Sequence, residues 1–122
     1  MEEKLRALEC CFAEKIARCE QRGMELRADN REDEAVFEKV RANVYDIFRT
    51  VLSAGVRTCG QDADGLRRFF DLRIQHIPTS WQASLEQARA HQDTAKAHLE
   101  EIKLAAVAEI RETFDTIWEG AQ

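Results

Sequence analysis

Apolar residues recur every three or four positions along nearly the whole chain, and its one proline is Pro78. A period near 3.6 predicts helices, and no segment alternates by two as a half-buried strand would. From about Glu2 to Arg27, Leu5, Leu8, Phe12, Ile16, Cys19 and Leu26 fall on one stripe. Gly23 lies on that stripe too, where a missing side chain predicts close approach by a neighbour. The opposite face carries the favourable i,i+4 pairs Glu2–Arg6 and Glu14–Arg18. Asp29 or Asn30 is expected to cap a second helix, whose positive N-terminal end suits Glu32, Asp33 and Glu34. Val36, Phe37, Val40, Val44, Ile47, Phe48, Val51 and Leu52 give that helix a wide apolar stripe, as expected of the most buried member of a bundle.

Thr58 to Gly65 reads as a loop, rich in glycine and aspartate with helix caps available. A short third helix follows, with Leu66, Phe69, Phe70, Ile74 and Ile77 on one face. Pro78 is expected to stop it, because proline disfavours helical geometry at the residue before. Thr79-Ser80-Trp81-Gln82 has the form of a capping box, the threonine hydroxyl accepting from the Gln82 amide. A long helical stretch then runs to about Trp118, with Gly120 as its stop. The polar stretch His91-Gln92-Asp93 is compatible with a turn, Asp93 capping a new helix, or with an unbroken rod.

The expected fold is therefore all-α: an up-and-down antiparallel bundle of four helices, or five if Asp93 opens one, forming a single domain over residues 1–122. Leu8, Phe12, Ile16, Val40, Val44, Ile47, Phe48, Val51, Phe70, Ile74, Leu99, Ile102, Ile110 and Phe114 are its expected core. A chain of 122 residues buries enough surface to need no metal or disulfide staple. The net charge of −5 makes phosphate backbones, and hence nucleic acid, unlikely partners. The N-terminus shows no basic start followed by an apolar run, so no signal peptide is expected. The apolar run Leu104 to Ala108 is far shorter than the roughly 20 residues that span a bilayer. A cytoplasmic protein without membrane attachment, its four cysteines reduced, is the expectation.

Trp81, Asp93 and Ala97 stand at the spacing of a tetratricopeptide repeat, and residues 78–109 resemble a single copy of it. The resemblance implies two antiparallel helices around the turn. Leu85, Gln92, Leu104 and Glu109 depart from the repeat's glycine, alanine and proline preferences. One unstacked copy also cannot bury its own face, so no peptide-binding residues are carried across.

Candidate chemistry is sparse. His91 and His98 are seven apart; on one unbroken helix they would be separated by about 10 Å along the axis, too far for one zinc. A turn at Asp93 would bring them closer. His98 and Glu101 could supply half of a carboxylate–histidine site, but no Glu-x-x-His pair is present. Cys10, Cys11, Cys19 and Cys59 form neither a C-x-x-C nor a zinc-ribbon pattern. Cys10 and Cys11 project about 100° apart, Cys19 fits the apolar stripe, and Cys10 points away from it beside Glu9 and Glu14, which oppose a thiolate. Glu100 and Glu101 read as ordinary surface charge. No phosphate-binding glycine loop or nucleophile elbow appears. Arg49, Arg57, Arg67, Arg68 and Arg73 cluster mid-chain, but Asp46, Asp62, Asp64 and Asp71 cancel most of their field, and the loop between the helices is too long for a helix-turn-helix.

Trp81, His91, His98 and Trp118 remain as residues that could border a groove or interface, against the alternative that both tryptophans pack in the core. No cofactor and no metal are expected. The reading is a non-enzymatic protein-interaction or assembly module, self-associating, in part because Val107 and Ala108 spill beyond a single stripe. The alternative is a bundle that binds a small ligand or metal near Trp81 or the His91–His98 turn; a DNA-associated regulator stands third.

Overall fold

The computed structural model describes residues 1–120. They form α1 (Glu2–Ala28), α2 (Glu32–Cys59), α3 (Ala63–His76), α4 (Thr79–Ala90) and α5 (Thr94–Trp118), with no strand among the described residues. The chain runs up in α1, down in α2, up through α3 and α4, and down in α5. Cross-contacts fix these directions. Lys4 at the start of α1 donates to the Trp118 carbonyl at the end of α5 (2.5 Å), and Lys15 pairs with Glu109. Phe37 meets His98 near the starts of α2 and α5.

The turns are set by local backbone chemistry. At the end of α1 the Arg31 amide bonds the Leu26 carbonyl and the Asn30 amide the Arg27 carbonyl, with Asn30 at φ +58°. This is a Schellman close, and asparagine tolerates its left-handed position better than most residues. Asp29 thus ends α1 and Arg31 begins α2, so neither Asp29 nor Asn30 caps the second helix. The same motif ends α4, with Gln92 at φ +58° and bonds from Asp93 to Ala88 and from Gln92 to Arg89. Of the two alternatives for His91-Gln92-Asp93, the turn is therefore the one that forms. The Asp93 carboxylate then accepts from the Lys96 amide and caps α5. Asp62 caps α3 in the same way through the Gly65 amide.

Two boundaries differ from expectation. Helix α2 runs to Cys59 and α3 starts at Ala63, so the loop expected over Thr58–Gly65 shrinks to Gly60, Gln61 and Asp62. The length argument against a helix-turn-helix goes with it. Helix α3 ends at His76, two residues before Pro78, as expected, but the residue before the proline is not forced out of helical geometry. Ile77 remains α-helical at φ −56°, ψ −43°, and Pro78 follows at φ −73°. Proline withholds one amide from the helix ladder, which bends the path between α3 and α4. The Gln82 amide bonds the Pro78 carbonyl, and the Thr79 hydroxyl donates back to the His76 carbonyl. Thr79 is therefore inside α4, and the expected capping box does not form.

The core is an aromatic column crossing three helices. Phe48 of α2 leans on Phe70 of α3 (6.0 Å), Phe70 stacks on Phe114 of α5 (4.2 Å), and Phe114 stacks on Trp118 (5.3 Å). Leu8, Phe12, Val44, Tyr45, Leu52, Leu66, Ile74 and Ile110 pack around it. Ile102 is buried as expected, whereas Ile16, Val40, Val51 and Leu99 are half-buried. Ile47 is 37% exposed and leaves the expected core. Val107 is buried, so only Ala108 of that pair reaches the surface.

Gly23 of α1 and Gly55 of α2 differ. A Cβ on Gly55 would lie 2.6 Å from Leu66 Cδ1 and 2.9 Å from Phe69 Cδ1, so this glycine lets α2 and α3 touch. A Cβ on Gly23 would meet nothing nearer than 3.8 Å, so the close approach expected there is not required. Gly23→Ala should therefore raise the free energy of unfolding by about 0.5–1 kcal/mol through helix propensity. Gly55→Ala should lower it by about 1–3 kcal/mol, because Leu66 is fully buried and cannot yield. Phe48→Ala should cost about 3–5 kcal/mol. Urea denaturation of the three variants checks both signs and sizes, and a Phe48→Ala loss below about 0.5 kcal/mol would displace α2 from the core.

Candidate functional site

Four residues singled out from the sequence occupy separate surroundings. Trp81 opens α4 half-buried, beneath the Lys103 ammonium at 5.7 Å from its ring centroid. Trp118 is buried, stacked on Phe114 and covered by Lys4. Fifteen residues of α5, about 22 Å at 1.5 Å each, separate Lys103 from Trp118, so the tryptophans do not meet. His91 ends α4 with Nδ1 2.8 Å from the Gln87 carbonyl, at the edge of a depression shared with Asp93 and Lys96. His98 sits edge-on to Phe37 at 4.6 Å, with Glu101 3.9 Å away. The turn at Asp93 thus sends the histidines to different neighbours. Among the described residues no cluster of three or more His, Cys, Asp or Glu is placed to hold a metal.

The structure assembles a polar network that no local sequence signal marks. Lys15 of α1, Tyr45 of α2 and Glu109 of α5 meet across the bundle, flanked by Cys11, Cys19 and the Arg41–Glu38 pair (2.6 Å). Their sequence separations exceed any helical spacing, which is why no motif marked them. Burial and the adjacent Glu109 carboxylate push the Tyr45 phenol well above its ordinary range. Burial alone would raise Glu109. Hydrogen bonds from Lys15 and Tyr45, with the Lys15 and Arg41 charges, overcome this and hold it below the usual carboxylate value. These shifts keep Tyr45 protonated and Glu109 ionised beside it. The enclosed space beside them is about 10 Å³, room for roughly one water.

Three of the four cysteines are pushed away from the thiolate. The Glu14 charge, 3.6 Å from its sulfur, raises the Cys10 thiol. Burial raises Cys11 and Cys19.

Glu100 departs from its expected place at the surface. It is 5% exposed; one carboxylate oxygen accepts from Lys103 (3.1 Å), and the other has no donor among the described residues. Glu101 is exposed and pairs with Arg89 (3.2 Å). Of the mid-chain arginines, Arg49 pairs with Asp46 (2.6 Å) and Arg67 with Glu119 (3.1 Å), while Arg73 lies over the Phe69 ring.

What the surface does display is apolar. Met24, Val36, Ile47 and Leu72 are large exposed hydrophobics on α1, α2 and α3. Helix α4 packs on α5 and makes no comparable contact with α1, α2 or α3. The α3–α4 arm therefore leaves part of α2 uncovered. Two outcomes follow for the polar groups. Glu109 has a folded pKa below its unfolded value, so its contribution to stability is present above 4.5 and fades as pH falls through the lowered value. Glu109→Gln should flatten that acid limb in denaturation midpoints measured against pH. Glu100→Met should raise stability by about 1 kcal/mol, because it removes a half-satisfied buried carboxylate and frees Lys103 to water; thermal and urea unfolding read the sign.

Comparison with protein-family models, with curated proteins and with solved structures finds no match to this chain.

Proposed function

We propose that this chain is a non-enzymatic assembly module that binds a second copy of itself. One observation carries the reading: α2, a 28-residue helix at the centre of the bundle, keeps a row of β-branched residues at the surface, with Val36 47% and Ile47 37% exposed. Exposed apolar rows of this kind on an otherwise charged surface mark contact sites. Buried face and exposed row lie on the same helix, so the fold that builds the core also presents the row.

The polar groups support the same reading. Glu109 is held by Lys15 beside Tyr45; the enclosed space on one side has room for about one water, and the wider depression of about 290 Å³ on the other, lined by the same three residues with Arg18, Arg22 and Arg41, is open to solvent. No helix of the described residues is long and apolar enough to cross a membrane, so the row is not part of a helical span.

Sedimentation-equilibrium centrifugation across a wide concentration range tests the proposal. The expected result is a reversible dimer or higher assembly, its fraction rising with concentration. A monomer at every workable concentration contradicts it.

A further inference from the structure

The α2 row has an internal symmetry that selects its partner. Val36, Val40, Asn43, Ile47, Val51 and Ala54 fall within an arc of about 80° at 100° per residue, a stripe about 27 Å long. All are exposed or half-buried. The geometry points to an antiparallel α2–α2 contact between two copies, with the two-fold axis passing beside Asn43 and Val44. That axis sets Val36 opposite the second copy's Val51, and Val40 opposite its Ile47. Val36, Val40, Ile47 and Val51 then all face apolar residues, the polar Asn43 lies at the axis beside its own equivalent, and Ala54 at the end of the stripe faces the second copy's Asp33. The inference rests on the self-association proposed above and assigns its surface and register.

Charge supports the same register. In an antiparallel two-fold pair, a given flank of one helix meets the same flank of the other. Glu32, Lys39, Asp46 and Arg57 all lie on one flank of the stripe. The axis near residue 43 brings Lys39 to the second copy's Asp46 and Glu32 to its Arg57, each contact occurring twice. Lys39 and Arg57 have no ion-pair partner among the described residues, while Asp46 holds only the exposed Arg49 on its own helix. A parallel two-fold pair would instead set this flank against the opposite flank of the second copy, so Lys39 would not meet Asp46. The acidic first turn of α2, Glu32 to Glu34, and the Arg57 near its end give the helix the polarity an antiparallel pair needs.

Sedimentation of point variants tests this, with far-UV circular dichroism confirming the helical fold of each. Ile47→Glu should weaken dimerisation by at least about tenfold, since each dimer then buries two uncompensated carboxylates. Leu72→Glu, on α3 and off the stripe, should leave it unchanged. Lys39→Glu and Asp46→Lys should each weaken it several-fold, and the double variant should recover it, because only the predicted register restores both pairs. A wild-type dimer that survives Ile47→Glu, or that is lost in Leu72→Glu, overturns this surface while leaving self-association standing. A double variant as weak as the singles overturns the register. A wild-type protein that never dimerises overturns both.

Discussion

Stacking of Phe70 between Phe48 and Phe114, with Trp118 continuing the column, is the contact on which the remaining packing depends. It ties α2, α3 and α5 at one end of the bundle. Offset and tilted aromatic pairs add about 0.5–1.5 kcal/mol each beyond the area they bury. The column also explains Gly55. For Phe70 to reach both neighbours, α3 must lie close on α2, and only a residue without a Cβ leaves room for Leu66 and Phe69. From the other side, α1 closes the core along most of α2, and the Lys15–Glu109–Tyr45 network joins α1, α2 and α5.

The other half of the bundle is less complete: α3 packs on α2 and α5, whereas α4, beyond Pro78, packs on α5. Leu85 and Ala88 are buried, but the rest of α4 is exposed or half-buried. The N-terminal half of α2 therefore lacks a helix beside Val36 and Val40.

Much of the fold was legible because its signals are local. The 3.6 period located every helix, and Asp62 and Asp93 announced their caps because an aspartate bonds an amide three residues away. Asn30 carried a readable signal of another kind, its tolerance of positive φ, but Gln92 in the same conformation carried none. What escaped the sequence was decided by tertiary neighbours. Ile47 and Phe48 are adjacent and equally apolar, and only the position of α3 and α4 separates the exposed one from the buried one. Glu100 beside Glu101 looks like surface charge until α5 finds its neighbours. Trp81 and Trp118 share a residue type and no common site. Pro78 read correctly as the end of α3, although Ile77 before it keeps helical dihedrals.

The central claim is that the fold leaves one face of α2 for a second copy. Methyl NMR of protein labelled at valine and isoleucine tests it most directly. As concentration rises, the signals of Val36, Val40, Ile47 and Val51 should shift together along one binding curve, while the core methyls of Ile74 and Ile110 stay in place. Stationary signals along the α2 row, or shifts that track another face instead, would contradict the account.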